Sequence, residues 1–525
     1  MKKKLLGLLG AGALLLAACG GADQPAKESA DGTVDESQVR PEMRVAINSE
    51  PPTLDPARTV STASIGVTMH IYETLYTFDE NFESQPVLAD SYEVNDDNTK
   101  YTFKLKEGIN FHDGSEMTAE DVAASMNYWK ADTSKAADLL PEGDFEVVDD
   151  YTVEVEFVEP NTELLTLMSS ITYFPAIRPS EAFDGEIAES GIDDNFIGTG
   201  PYEYVDWVHD QYVEVKRFDN YHNQVTGEPS RFAGEKRAPT ETIRFEIIGD
   251  VGTRMAGLLS EEYDVGEVPV TNLDQVDATD YLNYSAPGGG TLVAQLNVEE
   301  GPLLDDKLRQ AILTGINNND IMLAALDNEE FYEVSSSYVS PETPYYTETS
   351  SEFYNANDQE KAKKLIEESG YNGEEIRIVT TPEYDSMYSA SIALQDQLVE
   401  LGLNAVVNQY DFNTFNEYTS DPSGHEIYIV SHSFQPSPQQ VLTLSTDRWG
   451  GDMDEQAQEL IDAMRAAEDE AATKEAFAEL QDFLYTDYIP GFVIGHYNNF
   501  VTYNSAVEGF DYWKAPILWN AGHVE

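Results

Sequence analysis

The sequence predicts an α/β protein of more than one domain, and three observations carry that expectation. Its 525 residues exceed what one simple core organises, so two or three domains are expected. Short runs alternating apolar and polar residues recur among longer runs with apolar residues at helical spacing. Residues 386–401, Gly402 and then NAVVNQYD read as a helix, its end and a following strand, a unit of the α/β kind. Hydrophobic residues make up 41% and aromatics 11%, with 30 Tyr and 22 Phe, which excludes general disorder and supplies a large interior.

The chain opens with Lys2-Lys3-Lys4, an apolar run LLGLLGAGALLLAA, and Cys19. A basic head, a short apolar run and small residues before a cut site make a secretory signal peptide over 1–18. The run is about 14 residues, whereas a membrane span needs about 20. Leu16-Ala17-Ala18-Cys19 also resembles the lipobox of bacterial lipoproteins, which implies a lipid on Cys19. Residues 19–40 are polar and read as a lipidated, disordered tether. Cys19 is the single cysteine, so no internal disulfide is expected. No later stretch approaches twenty apolar residues, so the anchor is the expected link to the membrane.

Thirty Lys and Arg face 97 Asp and Glu, a net charge of -67. Such a surface repels nucleic acid, whose binding needs basic side chains against phosphates. The acids run along the whole chain, which reads as a solvated acidic surface suited to salt or alkali, not as a trap in one cleft.

Order is expected from Met43. RVAIN (44–48) reads as a strand, and the SEPPTLDP after it as a proline-broken loop. SYEV and KYTFKLK flank Asp96-Asp97-Asn98-Thr99 as a hairpin, with Tyr101, Phe103 and Leu105 on one face. Thr118 with Asp121 fits a capping box, and Val122, Met126 and Trp129 follow at core spacing. Further strands are expected at 150–157, 213–218, 242–248, 291–298 and 489–498. Helices are expected at 305–316, 358–369, 386–401, 454–470 and 473–486, with Gly370 and Gly402 at helix ends. PGGG (287–290) reads as a break and a domain boundary.

The run EPPTLDP, then YETLYTFDE, PVLADSYEVNDDNTKYTFKLKEGINFHDGSEMTAEDV and IGTGPYEYVDW resembles the solute-binding lipoproteins of peptide-type ABC importers. The likeness continues, in order, through LNVEEGPLLDDKLRQAILTGIN and LQDQLVELGLNAVVNQYDFNTFNEY. This resemblance to family 5 solute-binding proteins implies a two-lobed, periplasmic-binding-protein-like fold (class II, cluster C) with an inserted domain. It implies lobe I from 41–78, 190–285 and 496–525, an insert at 79–189, lobe II at 286–495, and a hinge at 291–298 and 489–497.

No HExxH, GxSxG or GxxxxGK[ST] occurs, so no catalyst is selected, though a chance carboxylate pair of a secreted hydrolase stays open. His425, His432 and His496 have no metal-ligand spacing, and neither a metal nor a cofactor is expected. In peptide binders of the resembled family, the segment matching 425–442 carries an aspartate that pairs with the peptide's amino terminus. Pro436 and Pro438 match that segment's prolines, which puts Phe434 at the aspartate position and Ser437 at a later one. An unpaired buried ammonium costs several kcal/mol. The ligand then lacks a free amine, meets an acid supplied from elsewhere, or is not a peptide.

Candidate ligand contacts are Ser431, His432, Ser433, Phe434 and Gln435, which offer stacking and neutral hydrogen bonds. Phe434 packing in the lobe core is the alternative. Asn48, Ser49 and Glu50 after the first strand, and His496, Tyr497 and Asn498 on the return strand, complete the hinge-side set. Trp449 either stacks on ligand or packs. The resemblance thus implies a lipid-anchored, monomeric receptor outside the membrane. It captures peptides, or alternatively an oligosaccharide or nickel chelate, and delivers them to ABC permease subunits.

Overall fold

Strand Glu42–Ile47 sits between two apolar layers because its side chains alternate. Met43, Val45 and Ile47 enter one core, while Ala46 enters a smaller one with Met255 and Leu258. The computed structural model describes residues 34, 36–140, 142–184, 187, 191, 196–221, 224–349, 351–444 and 454–525. Cys19, the leader, most of the tether and Trp449 therefore lie outside the described residues.

A seven-stranded sheet forms the first lobe. Its strands run, in spatial order, Leu282–Ser285, Val501–Asn504, Val265–Gly266, Glu42–Ile47, Thr242–Ile247, Tyr212–Arg217 and Tyr202–Val208. Glu42–Ile47 pairs in parallel with both of its neighbours, and the flanking pairs are antiparallel. The second lobe carries a six-stranded sheet in the order Tyr332–Glu333, Gly491–Asn498, Gly288–Leu296, Ile427–Ser433, Glu375–Thr380 and Asn404–Gln409. Helices Asp306–Gly315, Gln359–Ser369 and Asp385–Glu400 contribute Ile312, Ala362, Leu394 and Leu398 to its core. An insert supplies a four-stranded antiparallel sheet, with Tyr101, Phe103 and Leu105 turned into a third core against Val122, Met126 and Trp129. No helix among the described residues is long and apolar enough to cross a membrane.

Local signals held where backbone chemistry decides. Thr118 and Asp121 form a reciprocal capping box, the Thr118 N–H donating to Asp121 Oδ2 at 2.8 Å. Gly370 and Gly402 end their helices at φ 76° and 93°.

The crossings differ from expectation. Strands Gly288–Leu296 and Gly491–Asn498 lie wholly inside the second sheet and pair with each other. Their apolar residues bury best against one another, so among the described residues the chain passes between lobes at 286–287 and 499–500. The two passages are tied side by side: the Asn499 N–H donates to Pro287 O, and Asn498 Nδ2 to Ala286 O, both at 2.8 Å. The glycines of PGGG open a strand and make no break. A Cβ on Gly289 would lie 2.8 Å from the Asn499 backbone nitrogen, and one on Gly290 would run into the His432 carbonyl oxygen. Close backbone approach, not a turn, requires glycine here.

The insert's edges also divide. Phe82, Ile171 and Phe174 pack into the first lobe's core, while Leu75 and Tyr76 join the insert. The insert is thereby held on two sides.

Candidate functional site

Strand Ile427–Ser433 runs through the middle of the second lobe, and the chain leaves the sheet directly after it. The Phe434 N–H still donates to Gly289 O at 3.1 Å, and Pro436 and Pro438 then deny the segment further ladder bonds. A short turn, Pro438–Gln440, follows, capped by Ser437 Oγ. Side chains along this segment reach across the cleft. Ser437 Oγ donates to Glu163 Oε2 at 2.8 Å, and Gln440 Nε2 donates to Glu163 Oε1 at 2.9 Å.

Phe434 is buried, and its neighbours belong to the other lobe. Its ring stacks on Phe82 at 4.6 Å and 27°, and meets Trp513 edge-on at 4.8 Å. Phe82 and Trp513 in turn pack at 5.1 Å. The Arg231 guanidinium lies over both, 4.0 Å from the Trp513 ring centre and 4.6 Å from that of Phe82. Phe434 is thus neither a residue of its own lobe's core nor an open wall. It is the second lobe's contribution to an aromatic cluster between lobes.

The backbone around this cluster is strained. Phe82, Arg231 and Lys514 have φ of 60°, 54° and 62°, a region that non-glycine residues rarely occupy. Arg231 sits at the tip of a tight turn closed by reciprocal backbone bonds between Ser230 and Ala233. Ser230 Oγ accepts the Glu80 N–H at 3.1 Å, which pins the tip beside the Phe82 loop. Such outliers persist only where surrounding structure imposes them, and they concentrate at ligand clamps.

The residues singled out from sequence separate into groups. Ser431 Oγ bonds the Tyr497 hydroxyl at 2.8 Å, so these two meet across strand Gly288–Leu296, which lies between theirs. His432, Ser433, Phe434 and Gln435 line a cavity of about 20 Å³ with Thr291, Tyr338 and Thr443, room for about one water. His496 is internal: Nδ1 meets Thr291 Oγ1 at 2.9 Å and Nε2 meets Ser337 O at 3.0 Å. Burial pushes its pKa down to about 4, so it is a neutral structural residue with both ring nitrogens engaged. Asn498 serves the hinge. Asn48 and Ser49 bond each other, and Glu50 is held by Trp207 Nε1 at 3.0 Å and His209 Nδ1 at 2.7 Å on the first lobe's outer hairpin. The structure does not bring residues 48–50 to the Phe434 cluster. Among the described residues, no group of three His, Cys, Asp or Glu is placed to hold a metal.

Glu163, Phe82, Arg231 and Trp513 escaped sequence reasoning. A signal existed for Trp513, since DYWKAPILW holds two of only five tryptophans. None existed for Arg231, in a polar stretch without periodicity. Glu163 is fully buried, and desolvation raises its pKa to about 7 despite the Ser437 and Gln440 donors.

Two α/β lobes with separate cores, joined by two adjacent crossings and meeting through side chains, have the architecture of a hinged binding protein. Residues 83–452 match the "Bacterial extracellular solute-binding proteins, family 5 Middle", and the chain belongs to that family. It is 25% identical over 487 residues to the "Probable peptide ABC transporter periplasmic-binding protein y4tO" of Sinorhizobium fredii, covering 89% of this chain and 90% of the relative. It is 28% identical over 378 residues to the glutathione-binding protein GsiB of Escherichia coli K12, covering 70% and 69%. The fold resembles the ABC transporter substrate-binding protein CtaP of Listeria monocytogenes, with a TM-score of 0.79, 22% identity, and coverage of 90% and 95%.

Proposed function

We propose that this chain is the peptide-capturing receptor of an ABC importer. It folds its lobes over a peptide and presents the closed form to the permease subunits. The observation that carries this reading is segment 434–440, whose side chains reach from one lobe to the other lobe and the insert. A ligand that touches both sides binds the closed form better, so it shifts the open–closed population. Two crossings tied by Asn498 and Asn499 restrict the movement to bending about one axis. No bond in the ligand is made or broken, and ATP is spent by other subunits. The receptor works as a monomer on the outer face of the cell membrane, held by lipid on Cys19.

Mass spectrometry of ligand released by denaturing the purified protein tests the proposal. Peptides are expected, and calorimetry with the same peptides shows saturable binding without turnover. Release of a sugar or a metal chelate, or chemical conversion of a bound peptide, overturns it.

A further inference from the structure

Three charged side chains surround the aromatic cluster without a direct counter-charge. Arg231 lies on Phe82 and Trp513, and its Nη1 is buried with no hydrogen-bond partner. Glu342 comes from the second lobe. Its Oε2 lies beside Gly288 where the Trp513 ring edge also arrives, one residue before the Gly289 carbonyl that binds Phe434. Asp511 comes from the first lobe, two residues before Trp513. Among the described residues, none of the three has an oppositely charged atom within 4.0 Å. Glu342 and Asp511 nevertheless feel Arg231, which lowers the pKa of each, while desolvation raises both more strongly. Both carboxylates are exposed to water yet desolvated. Glu342 reaches the Trp513 ring edge from the second lobe, while Asp511 shares a strand with Trp513 in the first. The Arg231 Nη1 is the buried donor left without a partner, and such a group is accounted for where a ligand completes it.

We infer that Glu342, Asp511 and Arg231 are the charged recognition set of the interlobe site, and that its ligand is dipolar. Its cationic end meets the two carboxylates, and its carboxylate meets the Arg231 guanidinium. The inference rests on the interlobe site proposed above. It supplies an acid for a ligand amine although Phe434 occupies the position where an aspartate is expected. It also explains the strain: the turn at Ser230–Ala233 holds Arg231 in a left-handed conformation so that its side chain lies across the aromatic rings. Phe434 then excludes water beside the charges, which strengthens them.

The test is calorimetry of the mature chain with Ala-Phe, N-acetyl-Ala-Phe, Ala-Phe amide and the doubly blocked peptide. Each blocked terminus is expected to weaken binding to the native protein about 10- to 100-fold. The penalty for acetylation is expected to vanish in Glu342→Gln and Asp511→Asn, and the penalty for amidation to vanish in Arg231→Gln. The native-protein series needs no variant, so a variant that fails to fold leaves the test intact. Equal binding of all four peptides overturns this inference while the peptide receptor stands. No binding of any peptide, with binding of 4-aminobutyrate that Arg231→Gln and Glu342→Gln abolish, upholds the charged set and overturns the peptide reading. No binding of any of these probes overturns both.

Discussion

The Phe434 ring stacks on Phe82 with centroids 4.6 Å apart, although one side chain follows the last residue of a second-lobe strand and the other belongs to the first lobe's core. This contact, with the edge of Trp513, exists only when the lobes are together. It makes Phe434 part of the contact that holds the lobes together.

Phe434→Ala is expected to keep both lobes folded and to loosen closure. Two aromatic pairs are lost, each worth about 0.5–1.5 kcal/mol beyond the area they bury. Small-angle scattering should show a larger radius of gyration for the variant. Phe434→Asp should in addition change ligand preference. A radius and a ligand profile equal to those of the native protein would remove Phe434 from the site.

Glu163 makes the contact between insert and second lobe sensitive to pH. Its folded pKa of about 7 lies above the ordinary carboxylate value of 4.5, so the folded state holds its proton longer than the unfolded state. Its contribution to stability is full below 4.5 and is lost as pH rises toward 7. Above that both states are ionised and the contribution is flat. Melting temperatures from pH 4.5 to 8 should fall more steeply for the native protein than for Glu163→Gln. Parallel curves would contradict the assignment.

Lys236 and Glu73 form a buried ion pair at 2.8 Å, with Tyr221 and Thr199 donating to the same carboxylate. Lys236→Met leaves Glu73 charged and uncompensated, which costs about 3–5 kcal/mol. Urea unfolding should show that loss, and replacing both Lys236 and Glu73 by apolar residues should recover part of it.

Gly289 packs directly against the second crossing. Gly289→Ala puts a Cβ 2.8 Å from the Asn499 nitrogen, and forcing that strand apart should cost about 1–3 kcal/mol. Denaturant midpoints measure the cost. An unchanged midpoint would mean that the crossings give way freely.

Cys19→Ala is expected to release the protein from the membrane without altering peptide binding. Cell fractionation with calorimetry on the released chain checks both halves.

The sequence by itself determined what depends on neighbours a few residues away. Alternation placed the strands, Thr118 and Asp121 announced a helix start, and Gly370 and Gly402 announced helix ends, because backbone satisfaction is settled within a turn or two. The ordered set of motifs also carried the family. Tertiary structure alone decided which faces meet. Ser437 and Glu163 are 274 positions apart, and neither periodicity nor composition couples them. His496 and Glu50 show the same limit from the other side. Each stood at a strand end expected to face ligand, yet internal partners claimed both, since a polar side chain takes whichever partner packing brings. Arg231 was invisible for a related reason. Its role comes from a strained turn and two distant rings, a property of the folded contact surface that no stretch of the chain contains.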